Sequence, residues 1–169
     1  SNITKIGRAA FSDCTNLTSA IIPKGTTEIG DFAFSNCVHF TSLTLPNGVT
    51  SIGAGAFSNC VSLTSVTIPQ SVTTIGNSAF QNCHNLTTLT IPQKVTSIGN
   101  LAFTNCKKLT ITVNEANLTY SSHKGALFNK KRTILLRGPG STTNYIISNG
   151  VTKIEEEAFS GLTDLTSIT

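Results

Sequence analysis

Five cysteines are the residues of this 169-residue chain that first suggest chemistry, because they recur at a constant spacing. Cys14, Cys37, Cys60, Cys83 and Cys106 are each 23 residues apart. No Cys-x-x-Cys clamp is present, and an odd number of thiols cannot all pair. In stacked units, equivalent side chains also point the same way instead of facing each other. The spacing therefore predicts a ladder of buried free thiols, with no disulfide and no metal site.

The other residue types that carry out catalysis do not form a recognisable constellation. His39, His84 and His123 occupy different positions in the repeat and form no pair at metal-ligand spacing. The acidic run Glu155–Glu157 is contiguous, as in a solvated corner, and the other carboxylates are scattered. No serine lies in a Gly-x-Ser-x-Gly elbow beside a base. We therefore expect no active site, no enzymatic activity and no cofactor.

A stripe of hydroxyl side chains is the clearest candidate for a binding surface. These side chains flank one apolar residue on each of four strands and point outward by the period-two rule. They are Ser42, Thr44, Ser65, Thr67, Thr88, Thr90, Thr110 and Thr112. Threonine is also a good strand former, so the stripe could stabilise a parallel sheet without any ligand. Both interpretations stay open from the residues alone.

A second candidate is a small basic cluster formed by Lys124, Lys130, Lys131 and Arg132. If the ligand is an anionic glycan, these side chains are where it would bind. The alternative is a charged turn that only keeps its hairpin soluble. The formal net charge of the chain is +4, with 12 basic and 8 acidic residues. This charge is too small and too dispersed to indicate a nucleic-acid-binding protein.

The elements that position these residues follow from the same 23-residue period. Val66 and Ile68 alternate as in a strand with one buried face, and Pro69 ends that strand. A second extended segment, Val72–Ile75, is closed by glycine and followed by an Ala-Phe corner. Strands repeated at this interval must pair in parallel, so we expect a solenoid of about seven coils. The recurring phenylalanines of the corners are expected to form a core spine.

The period breaks once, which predicts one enlarged coil at about residues 106–148. Within it, the apolar runs Ala126–Phe128 and Thr133–Leu136 are joined by Asn-Lys-Lys-Arg and bounded by glycines. This pattern is typical of a β-hairpin, which we expect to stand off the rod.

Composition sets the remaining limits. Hydrophobic residues make up 38% of the chain and charged residues 12%, so we expect a folded chain with a hydroxyl-rich surface. No apolar run approaches the length of a membrane span, and no signal peptide is recognisable. Because methionine is absent, we expect a fragment or processed product in which residues 1–169 form a single domain.

The repeats Leu43–Cys60, LTLPNGVTSIGAGAFSNC, and Val66–Cys83, VTIPQSVTTIGNSAFQNC, resemble BspA-like leucine-rich repeats of the treponemal type. The resemblance covers essentially the whole chain. It implies a right-handed leucine-rich repeat solenoid, mainly β, with a parallel sheet, short helical or 3-10 corners and one inserted β-hairpin.

The same resemblance implies a cell-surface or secreted protein that binds without catalysis. We expect an adhesin whose partners are host extracellular or cell-surface proteins, possibly glycans, bound on the strand face. A structural spacer and a carbohydrate-binding module remain the alternatives.

Overall fold

The computed structural model describes residues 2–169 as a solenoid of about seven coils with two parallel ladders of short strands. One ladder is a four-stranded sheet with the order β3 (Ser42–Thr44), β5 (Ser65–Thr67), β7 (Thr88–Ile91) and β9 (Thr110–Val113). The other is a five-stranded sheet with the order β1 (Lys5–Ile6), β2 (Glu28–Ile29), β4 (Ser51–Ile52), β6 (Thr74–Ile75) and β8 (Ser97–Ile98).

The repeat period sets the register of both sheets. Leu43 lies beside Val66, and Ile52 lies beside Ile75, each one period away. These side chains point inward and are at most 7% exposed. The glycine after each inward isoleucine allows the coils to stack closely: a Cβ on Gly76 would lie 2.5 Å from the backbone nitrogen of Ala54. The 23-residue period of the sequence therefore sets the register in which the coils stack.

The predicted phenylalanine spine runs through the corners. The rings of Phe34, Phe57, Phe80 and Phe103 stack in sequence, with centroids 5.3 to 5.9 Å apart. All four are at most 3% exposed, as expected for a continuous core. Phe159 does not continue the stack, because its ring packs against Tyr145 at 5.7 Å.

The corners differ from the expectation in one respect: residues 2–169 contain no α-helix and no 3-10 helix. In the second corner, three local hydrogen bonds alternate with three bonds to the next coil. The latter run from the N–H groups of Phe32, Phe34 and Asn36 to the carbonyls of Ala54, Ala56 and Ser58, at 2.7 to 2.9 Å. Phe32 and Asn36 have positive φ angles of 55° and 59°. A helix would turn these N–H groups back on their own coil, so stacking replaces it.

The enlarged coil contains the predicted hairpin, β11 (Ala126–Asn129) and β12 (Ile134–Arg137). A third strand that the sequence did not predict, β10 (Tyr120–His123), pairs antiparallel with β11. The expectation that the hairpin stands off the rod was wrong. Ala126, Leu127 and Phe128 are at most 1% exposed, because the hairpin fills the space of a regular coil.

Beyond the hairpin, the repeat resumes in three short strands. β12 pairs in parallel with β14 (Lys153–Ile154), and β13 (Asn144–Tyr145) pairs in parallel with β15 (Ser167–Ile168).

Candidate functional site: surfaces for ligand binding

The predicted hydroxyl stripe forms one face of the four-stranded sheet, and we call its eight side chains the hydroxyl face. All eight are exposed, and the inward residue between each pair is buried. Two columns result. Ser42, Ser65, Thr88 and Thr110 are in register along one, and Thr44 pairs with Thr67 and Thr90 with Thr112 in the other.

The hydroxyl-bearing residues of this face are exposed to solvent. The threonines just before the strands behave differently: Thr41, Thr64 and Thr87 donate their Oγ1 hydrogens to a carbonyl of the preceding coil. None of the eight hydroxyls of the face has such a partner within residues 2–169. Threonine therefore has two roles in these three repeats, one that joins coils and one that faces solvent.

The hydroxyl face carries no charged side chain, and an apolar residue replaces a hydroxyl in the first coil. Ile21, in the first coil, is 97% exposed and takes the place of the second hydroxyl column there, as expected from the sequence. The face thus offers hydroxyl and methyl groups on a backbone fixed by main-chain hydrogen bonds. This arrangement suits an extended partner that is recognised by shape and hydrogen bonding.

The predicted basic cluster is divided by the structure. Lys130, Lys131 and Arg132 lie together in the β11–β12 turn, whereas Lys124 lies in the β10–β11 turn at the opposite end of β11. Lys130 donates its ammonium hydrogens to the carbonyls of Glu115 and Asn117. Arg132 donates to the carbonyl of Ser122 at 3.3 Å. Two of the four cations therefore bind backbone carbonyls, Lys130 those of a neighbouring loop and Arg132 that of strand β10.

A shallow cleft of about 370 Å³ joins this basic turn to the hydroxyl face. Thr112, from the hydroxyl face, lines it together with Lys130 and Arg132. The structure thus brings members of the two candidate sets together at the last coil of the sheet, and this proximity was not foreseen.

The cysteine ladder has the predicted free thiols. Cys37, Cys60, Cys83 and Cys106 are fully buried, and each thiol donates to a phenylalanine carbonyl 26 residues earlier, at 3.0 to 3.2 Å. Burial raises the pKa of Cys60 to about 12, so the thiol stays neutral. Cys14 departs from the prediction, because it lies in the first coil and is exposed.

The structure contains a ladder of asparagine side chains that the sequence did not predict. The amide nitrogens of Asn36, Asn59, Asn82 and Asn105 each donate to the side-chain oxygen of the preceding coil, at 2.6 to 2.8 Å, and the ladder starts at Asp13. Its sequence signal is the residue that precedes each cysteine: Asp at 13 and Asn in the next four coils. The ladder links the corners of successive coils.

The histidines are dispersed as expected. His39 Nδ1 lies 2.7 Å from the carbonyl of Thr15, and His84 Nε2 lies 3.1 Å from the amide nitrogen of Asn105. Burial, with a smaller effect of Lys107, lowers the pKa of His84. Nowhere in residues 2–169 do three His, Cys, Asp or Glu side chains gather in a group that could hold a metal. The same residues contain no helix with the length and hydropathy needed to traverse a bilayer.

Comparison with protein families supports the fold. A model of the BspA-type leucine-rich repeat region matches residues 1–130 and 137–169, with six copies of its repeat. Among curated proteins, none matches this chain.

Three solved structures show the same architecture. A leucine-rich cell surface protein of Faecalibacterium prausnitzii is 38% identical, with a TM-score of 0.85, and the alignment covers 98% of this chain and 47% of that one. The pneumococcal vaccine antigen PcpA is 27% identical, with a TM-score of 0.85, over 98% of this chain and 42% of its own. A leucine-rich repeat protein of Bacteroides ovatus is 29% identical, with a TM-score of 0.75, over 99% and 41%. The chain thus spans less than half the length of each.

Proposed function

The chain belongs to the family of BspA-type leucine-rich repeat proteins, and on this premise we propose that it is a non-catalytic binding module of a cell-surface or secreted protein. Its role is that of an adhesin, and its hydroxyl face binds a host extracellular or cell-surface protein. The observation that carries this proposal is the set of eight exposed hydroxyls without internal partners on a rigid sheet.

Surface location is supported by two of the similar structures, one described as a cell surface protein and the other as a vaccine antigen. The absence of charge on the hydroxyl face favours a protein partner over an acidic glycan. The glycan alternative depends on the β11–β12 turn, where Lys130 and Arg132 already donate to backbone carbonyls.

Binding to an immobilised panel of extracellular-matrix proteins and glycans tests the proposal. The double variant Thr67→Lys/Thr90→Lys places two charges in the centre of the face, and it should weaken protein binding about tenfold or more. The matched control is Thr74→Lys/Ser97→Lys, which adds the same charges to exposed positions of the other sheet and should leave binding unchanged. Equal binding by both variants would exclude the hydroxyl face. If the folded protein binds nothing on the panel, the spacer alternative replaces the adhesin.

A further inference from the structure

The enlarged coil leaves a cleft in the corner side of the solenoid, away from the hydroxyl face. In a regular coil, twelve residues separate the inward isoleucine from the next strand, as between Ile75 and Thr88. In the enlarged coil only eight separate Leu135 from Asn144, so its corner is four residues short. The corners on either side meet at one end, where a Cβ on Gly161 would overlap the side-chain oxygen of Asn105. Towards the other end they diverge, and a cavity of about 170 Å³ opens between them.

One wall of this cleft carries backbone N–H groups that have lost their acceptors. In the regular corner before it, the N–H groups of Ser78 and Phe80 donate to the next coil at 2.9 and 2.8 Å. Their equivalents, Leu101 and Phe103, have no hydrogen-bond acceptor within residues 2–169. The carbonyl of Ala158, in the corner on the other side of the cleft, accepts from Arg137 and Gly138.

Arg137 adds a further unpaired donor. Its side chain lines the cleft and is only 3% exposed. Nη1 donates to the carbonyl of Ala158 at 2.9 Å and Nη2 to that of Cys106 at 3.1 Å, whereas Nε has no partner. A buried guanidinium N–H without an acceptor costs free energy that a ligand carbonyl would recover.

The opposite wall is acidic. It consists of Glu155, Glu156 and Glu157, and only Glu155 forms an ion pair within residues 2–169, with Lys153 at 2.8 Å. Leu127 and Leu136 contribute the apolar part of the lining. Free anions are disfavoured by the carboxylates, and metal cations by the N–H donors and by Arg137. A ligand that complements this cleft has hydrogen-bond acceptors on the side of the N–H donors and a positive charge on the side of the carboxylates.

We propose that this cleft binds an extended peptide segment that carries a basic side chain and takes the place of the missing part of the corner. Carbonyls of the peptide accept from the N–H groups of Leu101 and Phe103 and from Nε of Arg137, and the basic side chain reaches Glu156 and Glu157. Neighbouring chains in such a stack are about 4.8 Å apart, so omission of one layer leaves room for one chain.

Titration of the ¹⁵N-labelled chain with N-acetyl-Gly-Lys-Gly-amide, followed by NMR, tests this site. The amide signals of Leu101 and Phe103 and the Nε–H signal of Arg137 should shift and saturate, with a dissociation constant of about 1 mM. The matched peptide N-acetyl-Gly-Glu-Gly-amide should bind at least about fivefold more weakly. Absence of saturable shifts at these signals, or equal binding of the two peptides, would overturn the proposal.

Variants of the exposed carboxylates Glu156 and Glu157 distinguish binding at this cleft from binding at other surfaces. Glu156→Gln/Glu157→Gln should weaken binding of the lysine peptide about fivefold, whereas the control Glu115→Gln, an exposed carboxylate elsewhere, should have no effect. Thr67→Lys/Thr90→Lys should also have no effect, so the outcome is independent of the hydroxyl face. Unchanged binding by Glu156→Gln/Glu157→Gln contradicts the assigned role of the carboxylates.

Hydrogen exchange checks the premise without any ligand. The amide of Leu101 should exchange at least about 100-fold faster than that of Ser78, its paired equivalent one coil earlier. Equal protection of the two amides would show that the N–H groups are not free and would overturn the proposal.

Discussion

At the residue scale, each repeat position has a defined physical task. Cys60 supplies a small apolar group that also donates to the carbonyl of Phe34, at 3.2 Å. Leu162 takes the corresponding place in the last corner, as a purely apolar group. Thr64 joins coils through its hydroxyl, and Thr67 presents its hydroxyl to solvent. The same residue type therefore has different tasks according to the direction of its side chain.

The thiol ladder should make stability fall at high pH. Burial raises the pKa of Cys60 to about 12, above that of the unfolded thiol, so its contribution is complete below about pH 8.5 and is lost as the pH rises towards 12. Between pH 9 and pH 10 the loss should be about 1 kcal/mol for this thiol. Urea unfolding of the wild type and of Cys60→Ala at both pH values measures it. The variant should show the smaller pH dependence, and identical slopes would contradict the neutral buried thiol.

The phenylalanine spine should dominate the core energetics. Phe57 is fully buried between two stacked rings, so Phe57→Ala should lower the free energy of unfolding by about 3 to 5 kcal/mol through the cavity that it creates. Phe11, which is 39% exposed, provides the control, and Phe11→Ala should cost less than about 2 kcal/mol. Denaturant unfolding measures both values, and equal losses would show that the register of the spine is wrong.

At the scale of the element, the corner is the distinctive unit. Its N–H groups point alternately into their own coil and towards the next, which requires positive φ angles at two positions four residues apart. Asparagine fills the second of these positions in four successive corners and also forms the side-chain ladder. In the last corner Gly161 takes this position, with a φ of 73°.

This double role of asparagine can be separated by two substitutions. Asn59→Gly removes the side-chain hydrogen bonds but keeps the φ of 58° without strain, whereas Asn59→Ala removes the bonds and adds the strain. The alanine variant should therefore be about 1 to 2 kcal/mol less stable than the glycine variant. Thermal or urea unfolding of the pair gives the difference, and equal stabilities would mean that the backbone relaxes at this corner.

At the scale of the whole molecule, stability depends on contacts between neighbouring coils, and function depends on what the stack displays. The uncharged hydroxyl face and the basic β11–β12 turn are adjacent but differ in their electrostatics. The enlarged coil both ends the four-stranded sheet at β9 and creates the cleft at Arg137. One insertion therefore sets the limits of one candidate surface and produces another.

The salt dependence of binding distinguishes the candidate surfaces. A protein bound through the hydroxyl face should lose less than about threefold in affinity between 0.05 and 0.5 M NaCl, because no charged group lies on the face. An acidic glycan bound through Lys131 and its neighbours should lose at least about tenfold. Binding isotherms at the two salt concentrations measure this ratio, and a steep dependence for a protein ligand would place its site outside the hydroxyl face.

The sequence alone determined the repeat, the two strand ladders, the buried thiols and the exposed hydroxyls, because each depends on a residue type recurring at a fixed period. It also located the hairpin, since the turn Asn129–Arg132 follows local rules. The sequence could not show that the hairpin packs into the rod, because an apolar run reads the same on a free hairpin and in a core.

Only the tertiary structure decided which groups meet across the break in the period. The unpaired N–H groups of Leu101 and Phe103 and the buried Arg137 lie where one corner is four residues short, and the divided basic cluster lies in the hairpin turns of the same coil. Within a regular corner, backbone donors alternate between an acceptor in their own coil and one in the next coil, so the repeat predicts each contact. At the short corner this repeat is interrupted, so the contacts there depend on how segments far apart in the sequence pack against each other.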